Sequence, residues 1–102
     1  MADIFDWDDG NWPKCGKHGL TKRDIEGVLT RRTAVMFDPA TDEVRFRAVG
    51  PSDSGRLAFV VFTVRERDGR KLLRPISARY MHAKEIRRYE QTKAEAVSSL
   101  QN

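Results

Sequence analysis

A single cysteine, Cys15, in 102 residues leaves no internal disulfide to form, which excludes a disulfide scaffold and fits a reducing compartment. No apolar run approaches the ~20 residues needed to cross a bilayer. The opening residues Met1-Ala2-Asp3-Ile4 lack the basic start and apolar stretch of a secretion signal. A soluble, cytoplasmic protein is expected. The only other soft ligands are His18 and His82, with no acidic cluster tied to them, so neither a metal nor another cofactor is expected. A Gly-rich phosphate loop and a nucleophile elbow are both missing, and Ser77 has no histidine near it in sequence to activate it as a protease nucleophile. Most enzyme classes drop out on these absences alone. No internal repeat interrupts the chain, and no linker exceeds the Gly50–Gly55 turn region.

What is present is a single domain's worth of chain with an uneven distribution of charge. The composition, 39% hydrophobic and 33% charged with a mean hydropathy of −0.63, suits a water-soluble globule with a modest core. Met1 to Val44 carries six Lys and Arg against nine Asp and Glu, whereas Arg45 to Lys93 carries thirteen against five. A basic half of this strength attracts a polyanion, and neutralised phosphates release counterions, so such binding weakens with salt. The plainer account, arginine for solubility, stands level with it until the cations are shown to share a surface.

Periodicity gives the elements. Phe5 and Trp7 alternate with Asp6 and Asp8, predicting a short strand. A short helix is expected through Trp12 to about Lys17, closed by Gly19, with Pro13 tolerated in its first turn. Thr21 and Asp24 read as a capping pair for a second helix over about Lys22 to Thr30, with Ile25, Val28 and Leu29 as its apolar stripe. A short strand at Ala34 to Phe37 follows. Next comes a strand in which Val44, Phe46 and Ala48 alternate with Arg45 and Arg47, and then a central strand from Leu57 to Val64.

Asp68-Gly69 predicts a two-residue type I′ hairpin turn, because both positions tolerate positive φ. That turn sets Arg67 opposite Arg70 and Glu66 opposite Lys71, and counting on gives Val61 opposite Ile76, Val60 opposite Ser77 and Ala58 opposite Arg79. Pro75 cannot donate to a ladder, so its strand lies at an edge or carries a bulge that shifts the pairs beyond it by one. Ile86, Tyr89, Lys93, Val97 and Leu100 recur at helical spacing, predicting a final helix that frays beyond about Lys93. The fold class is α+β: an antiparallel sheet with two short N-terminal helices and a C-terminal helix.

Cations, hydroxyls and two imidazoles around a sheet are equipment for handling phosphate. Lys17 and His18 before Gly19 also suit a helix C-terminus on dipole grounds, and Ser77 and Arg79 suit a solvent-facing strand. Their order in the chain adds a further signal. Phe5-Asp6-Trp7-Asp8, Lys17-His18-Gly19, Arg45-Phe46 running to Gly50, Gly55-Arg56 leading into Val60-Val61-Phe62-Thr63, Ile76-Ser77-Ala78-Arg79, and Glu85 with Arg88-Tyr89-Glu90 together resemble the ordered motifs of the BrnT toxin family. The resemblance spans about Phe5 to Glu90. It implies a RelE-like fold, a metal-independent endoribonuclease activity on RNA, and neutralisation by an antitoxin protein, usually of the BrnA type. The chain departs from the family at Lys14, where Asn is typical, and at Met81-His82, where small residues are common.

Joined to the cation distribution, the resemblance suggests roles. His18, whose unperturbed pKa of ~6.5 lies near neutrality, would be acid or base with Lys17 as backup. Arg45 and Arg79 would clamp the scissile phosphate, Ser77 would position one of its oxygens, and Arg56, Arg67 and His82 would bind RNA beyond it. An acidic or helical antitoxin segment is expected near Arg45 and Arg79, in an inhibitory complex of higher order. The alternatives are a non-catalytic basic module that binds RNA or antitoxin, and a domain whose charges form only a solvated surface.

Overall fold

The computed structural model describes residues 4–38 and 43–101, with side chains described through residue 94. A 3-10 turn at Lys14–Gly16 is followed by α1 (Lys22–Arg31), β1 (Ala34–Asp38), β2 (Arg45–Pro51), β3 (Leu57–Arg67), β4 (Arg70–Tyr80) and α2 (Ala83–Gln101). The four strands form one antiparallel sheet in the order β1-β2-β3-β4. The α+β class and the central place of β3 are as the pattern predicts.

The predicted capping pair starts α1. Thr21 Oγ1 accepts from the Asp24 backbone N–H at 3.0 Å, and Asp24 Oδ2 accepts from the Thr21 N–H at 3.1 Å, so two otherwise orphaned donors are satisfied reciprocally. The Thr21 N–H first, then the Thr21 hydroxyl, the Ser54 N–H and the Tyr80 hydroxyl, hold the Asp24 carboxyl below its usual range. The stripe Ile25, Val28 and Leu29 is fully buried against Ala48, Ala58, Val60 and Ala78 of the sheet. Small residues on the strands let the helix lie close. Gly50 serves a similar purpose beside the chain leaving α1, where a Cβ would come within 3.0 Å of the Arg32 backbone.

The Asp68-Gly69 turn has positive φ at both positions, 52° and 75°, and pairs Arg67 with Arg70 and Glu66 with Lys71 as expected. Beyond Pro75 the uninterrupted count is corrected. Phe62 pairs with Pro75 and Val61 with Ser77, so Ile76 is the extra residue of a bulge. Ala78 then faces Val60, Arg79 faces Phe59 and Tyr80 faces Ala58. The physical cause is the one foreseen at Pro75, a residue without an N–H for the ladder.

The expectation of two short N-terminal helices is also corrected. Among the described residues only the three-residue 3-10 turn forms before α1, because Pro13 and Gly16 within four residues leave too few good helix formers to extend it. Asn11 braces this stretch, its amide donating to the Asp6 and Pro75 carbonyls at 2.9 Å each. The predicted first strand shrinks to one parallel bridge between Phe5 and Leu73 on the outer edge of β4. Its alternation survives: Phe5 and Trp7 pack on the core, while Asp6 and Asp8 meet Arg74. At the other end α2 runs on to Gln101, and Val97 and Leu100 lie beyond the described side chains. On the far edge of the sheet β1 leaves Val35, Met36 and Phe37 exposed, Phe37 by 74%.

Candidate functional site

Alternation assigns the two faces of the sheet. Phe46, Ala48, Val60, Phe62, Ala78 and Tyr80 belong to the face packed under α1. Arg45, Arg47, Phe59, Val61, Thr63 and Arg65 take the other phase on β2 and β3, and the bulge puts Arg74, Ser77 and Arg79 of β4 in the same phase. This open face holds a concentration of guanidinium. The Arg79 guanidinium lies 4.7 Å from the centre of the Phe59 ring and that of Arg47 5.9 Å from it, so one aromatic is flanked by two cations.

Arg79 is further fixed by a two-bond fork to Glu85 in the first turn of α2, both at 2.8 Å. Glu85 also accepts from the His82 backbone N–H at 2.9 Å, which caps the helix start. The Arg79 guanidinium, then that N–H, hold the Glu85 carboxyl down at about 2, and Glu85 in turn raises Arg79. Further along α2, the Tyr89 hydroxyl shares a short hydrogen bond with Thr33 Oγ1 just before β1. The helix thus spans from the end of β4 to the start of β1.

A depressed carboxyl stabilises its folded form above its unfolded pKa, here 4.5, and loses that contribution as pH falls towards about 2. An NMR titration of Glu85 is expected to show a midpoint near 2, with amide protection in the first turn of α2 falling over the same pH 4.5 to 2 window. A midpoint near 4.5 would contradict the fork.

A second cationic group lies on the open face beside the edge of β4. A cleft of about 180 Å³ is lined by Lys14, Glu43, Arg45, Arg65, Arg74 and Ile76, with Gly10 and Asn11 at its margin. Arg74 forks onto Asp8 with two bonds of 3.0 Å and reaches Asp6 at 3.2 Å, contacts that raise Arg74 and, together with the Gly10 N–H, lower Asp8. A side chain at Gly10 would press within 2.9 Å of the end of that guanidinium. Glu43 is shared by Arg45 at 3.4 Å and Arg65 at 3.2 Å.

Arg45, Ser77 and Arg79 thus share one face. Lys17 and His18 do not join them: both are exposed in the turn between Cys15 and Leu20, which are buried in the core under α1. That turn belongs to the helical layer. Arg56 stacks 3.8 Å over Tyr80, whose hydroxyl donates to Asp24, also on the α1 side. Arg67 sits at the hairpin end, 3.3 Å from Asp6 and 3.9 Å from Asp8. His82 is exposed at the head of α2, beside Glu85 and so close to Arg79.

Sequence reasoning passed over Lys14, Arg47, Phe59, Arg65 and Arg74. Arg47 was legible, since it keeps the phase of Arg45 two residues before it. Arg74 carried no local signal, since its partners Asp6 and Asp8 lie more than sixty residues away in the chain.

A family model described as "Ribonuclease toxin, BrnT, of type II toxin-antitoxin system" matches residues 7–85. The matched span runs from Trp7 through the whole sheet to Glu85. No curated protein matches the chain.

Proposed function

This chain belongs to the BrnT family of ribonuclease toxins of type II toxin–antitoxin systems, and from that premise we propose that it is an endoribonuclease that cleaves RNA without a metal ion. The ribose 2′-OH attacks the adjacent phosphorus as a base takes its proton. The O2′–P bond forms, the P–O5′ bond breaks, and an acid protonates the departing 5′ oxygen. The products are a 2′,3′-cyclic phosphate and a 5′-hydroxyl end. We read the sheet and its helices as RelE-like, and the protein as cytoplasmic.

One observation carries this reading: Arg45, Arg47, Ser77 and Arg79 lie in one phase on one face of the sheet. Preorganised guanidinium groups stabilise the extra charge of a pentacoordinate phosphorus, a task that other nucleases give to a metal ion. In this assignment Arg45 and Arg79 clamp the scissile phosphate and Ser77 orients one of its oxygens. Arg56, Arg67 and His82 contact RNA further along. His18 carries the proton, with Lys17 as backup, which requires RNA to pass round the β4 edge towards the helical layer.

The partner is an antitoxin of the BrnA type, in a hetero-oligomer that hides the cationic face. An acidic segment suits that face, where it would compete with Glu85 for Arg79.

Purified chain incubated with RNA is expected to yield fragments ending in cyclic phosphate at the same rate with and without EDTA. Loss of cleavage in EDTA removes the metal-free mechanism. In the same assay His18→Ala, with folding unchanged, should cost roughly 10²–10⁴-fold. If His82→Ala costs that much and His18→Ala nothing, the proton carrier is the imidazole at the head of α2.

A further inference from the structure

The cleft beside β4 carries charges that its own neighbours do not satisfy. Its lining brings Lys14, Arg45, Arg65 and Arg74 around one carboxylate, Glu43. The forks of Arg74 are taken by Asp8 and Asp6. Glu43 is divided between Arg45 and Arg65 at 3.4 and 3.2 Å, longer than the ~2.7–2.9 Å of a strong charge-assisted bond. Two donors are left over. Arg45 Nε is buried with no hydrogen-bond partner, a cost that native structures seldom carry unless a ligand or ion removes it. The Lys14 ammonium has no ion-pair partner among the described residues.

A guanidinium and an ammonium lining one cleft fit an oxygen-rich anion of one or two charges. The space, about 180 Å³ with a mostly cationic lining, has room for a tetrahedral anion.

We propose that this cleft is a phosphate site for a single phosphate group of RNA, held by Lys14 and by the Arg45 guanidinium, which turns from Glu43 so that its buried Nε–H gains a partner, with Arg65 beside it. The proposal rests on the ribonuclease reading for its ligand and adds Lys14 to the groups that bind the strand. Phosphate binding displaces Glu43 from Arg45 in part and leaves the Arg74–Asp8 fork intact. Lys14 acts as a ligand of the phosphate, not as a proton carrier. A dianion and the diester of an RNA strand share this chemistry, so both serve as probes.

The Arg45 Nε–H resonance is followed by NMR while inorganic phosphate is titrated into the full chain, with ionic strength held constant by NaCl. A saturable shift is expected, and a 2′-O-methyl RNA oligonucleotide, which cannot be cleaved, should move the same resonance. Lys14→Gln is expected to weaken phosphate binding about tenfold and to raise KM for RNA with little change in kcat, as loss of one charged hydrogen bond implies. Arg65→Gln should weaken it less. A resonance that does not move, or moves equally with NaCl alone, overturns the site. If RNA is cleaved while phosphate leaves Arg45 unmoved, the cleft fails and the ribonuclease reading stands. Should phosphate move Arg45 in a chain that cleaves no RNA, the cleft is supported and the ribonuclease reading fails.

Discussion

Arg45→Ala is expected to lower RNA cleavage about 10²–10³-fold while the sheet stays folded, the scale on which loss of one preorganised donor to a transition-state oxygen acts. Arg45 opens β2 on the guanidinium face, two residues from Arg47, and lines the cleft with Lys14 and Arg74. Its side chain is 28% exposed, so it is largely screened from bulk water. The backbone pairing of Arg45 with Asp38 does not depend on the side chain, and the melting temperature should shift little. Arg45→Lys separates charge from geometry. A lysine keeps the positive charge but loses the planar fork, so it should recover only a small part of the rate. Wild-type cleavage in Arg45→Ala, measured on a labelled RNA with matched folding, would remove this residue from the mechanism.

The largest expected effect on stability comes from the helix side of the sheet. Leu29→Ala should destabilise the fold by about 2–5 kcal/mol, since deleting a buried leucine loses transfer energy and leaves a cavity. Leu29 is fully buried in the α1 stripe, against strand positions that are alanine or valine and cannot expand to fill the gap. Domains of this size have only ~5–15 kcal/mol in all, and each kcal/mol moves the midpoint by roughly 4–8 °C, so a fall of order 10 °C or more is expected. Phe37→Ala makes the contrast. That ring is 74% exposed and touches mainly Phe46, so its removal should cost about 1 kcal/mol or less. Thermal melts of the two variants check the assignment of the core, and similar losses would refute it.

Local chemistry made much of this fold legible. The Thr21–Asp24 pair marks the start of α1 and Asp68-Gly69 marks the β3–β4 turn, because each signal satisfies its own backbone groups within a few residues. Trp12 to Lys17 shows where such reading ends: the cations before Gly19 suit a helix end, yet Pro13 and Gly16 stop the helix from forming. The bulge at Ile76 was legible only as an option at Pro75, since its placement is settled by pairing across to β3.

The candidate site follows the same division. The strand residues Arg45, Ser77 and Arg79 are linked by phase, which sequence shows once the register is known. The cleft is assembled from Lys14, Glu43, Arg65 and Arg74, drawn from four separate segments, and no local pattern announces such a meeting. Lys17 and His18 show the converse, since a conspicuous motif in sequence lies off the strands and outside the lining of the cleft.

The single inserted residue in β4 has a consequence for how this chain tolerates change in length. Losing Ile76 alone would leave the faces as they are, but one residue added between the Asp68–Gly69 turn and Ala78 would act on the sheet as a frameshift acts on a message. Every side chain downstream would keep its chemistry and change its side, sending a guanidinium into the apolar interior and a tyrosine out to water. The spacing of Pro75, Ile76 and Ser77 is thus as much a determinant of the cationic face as the identity of the arginines that form it.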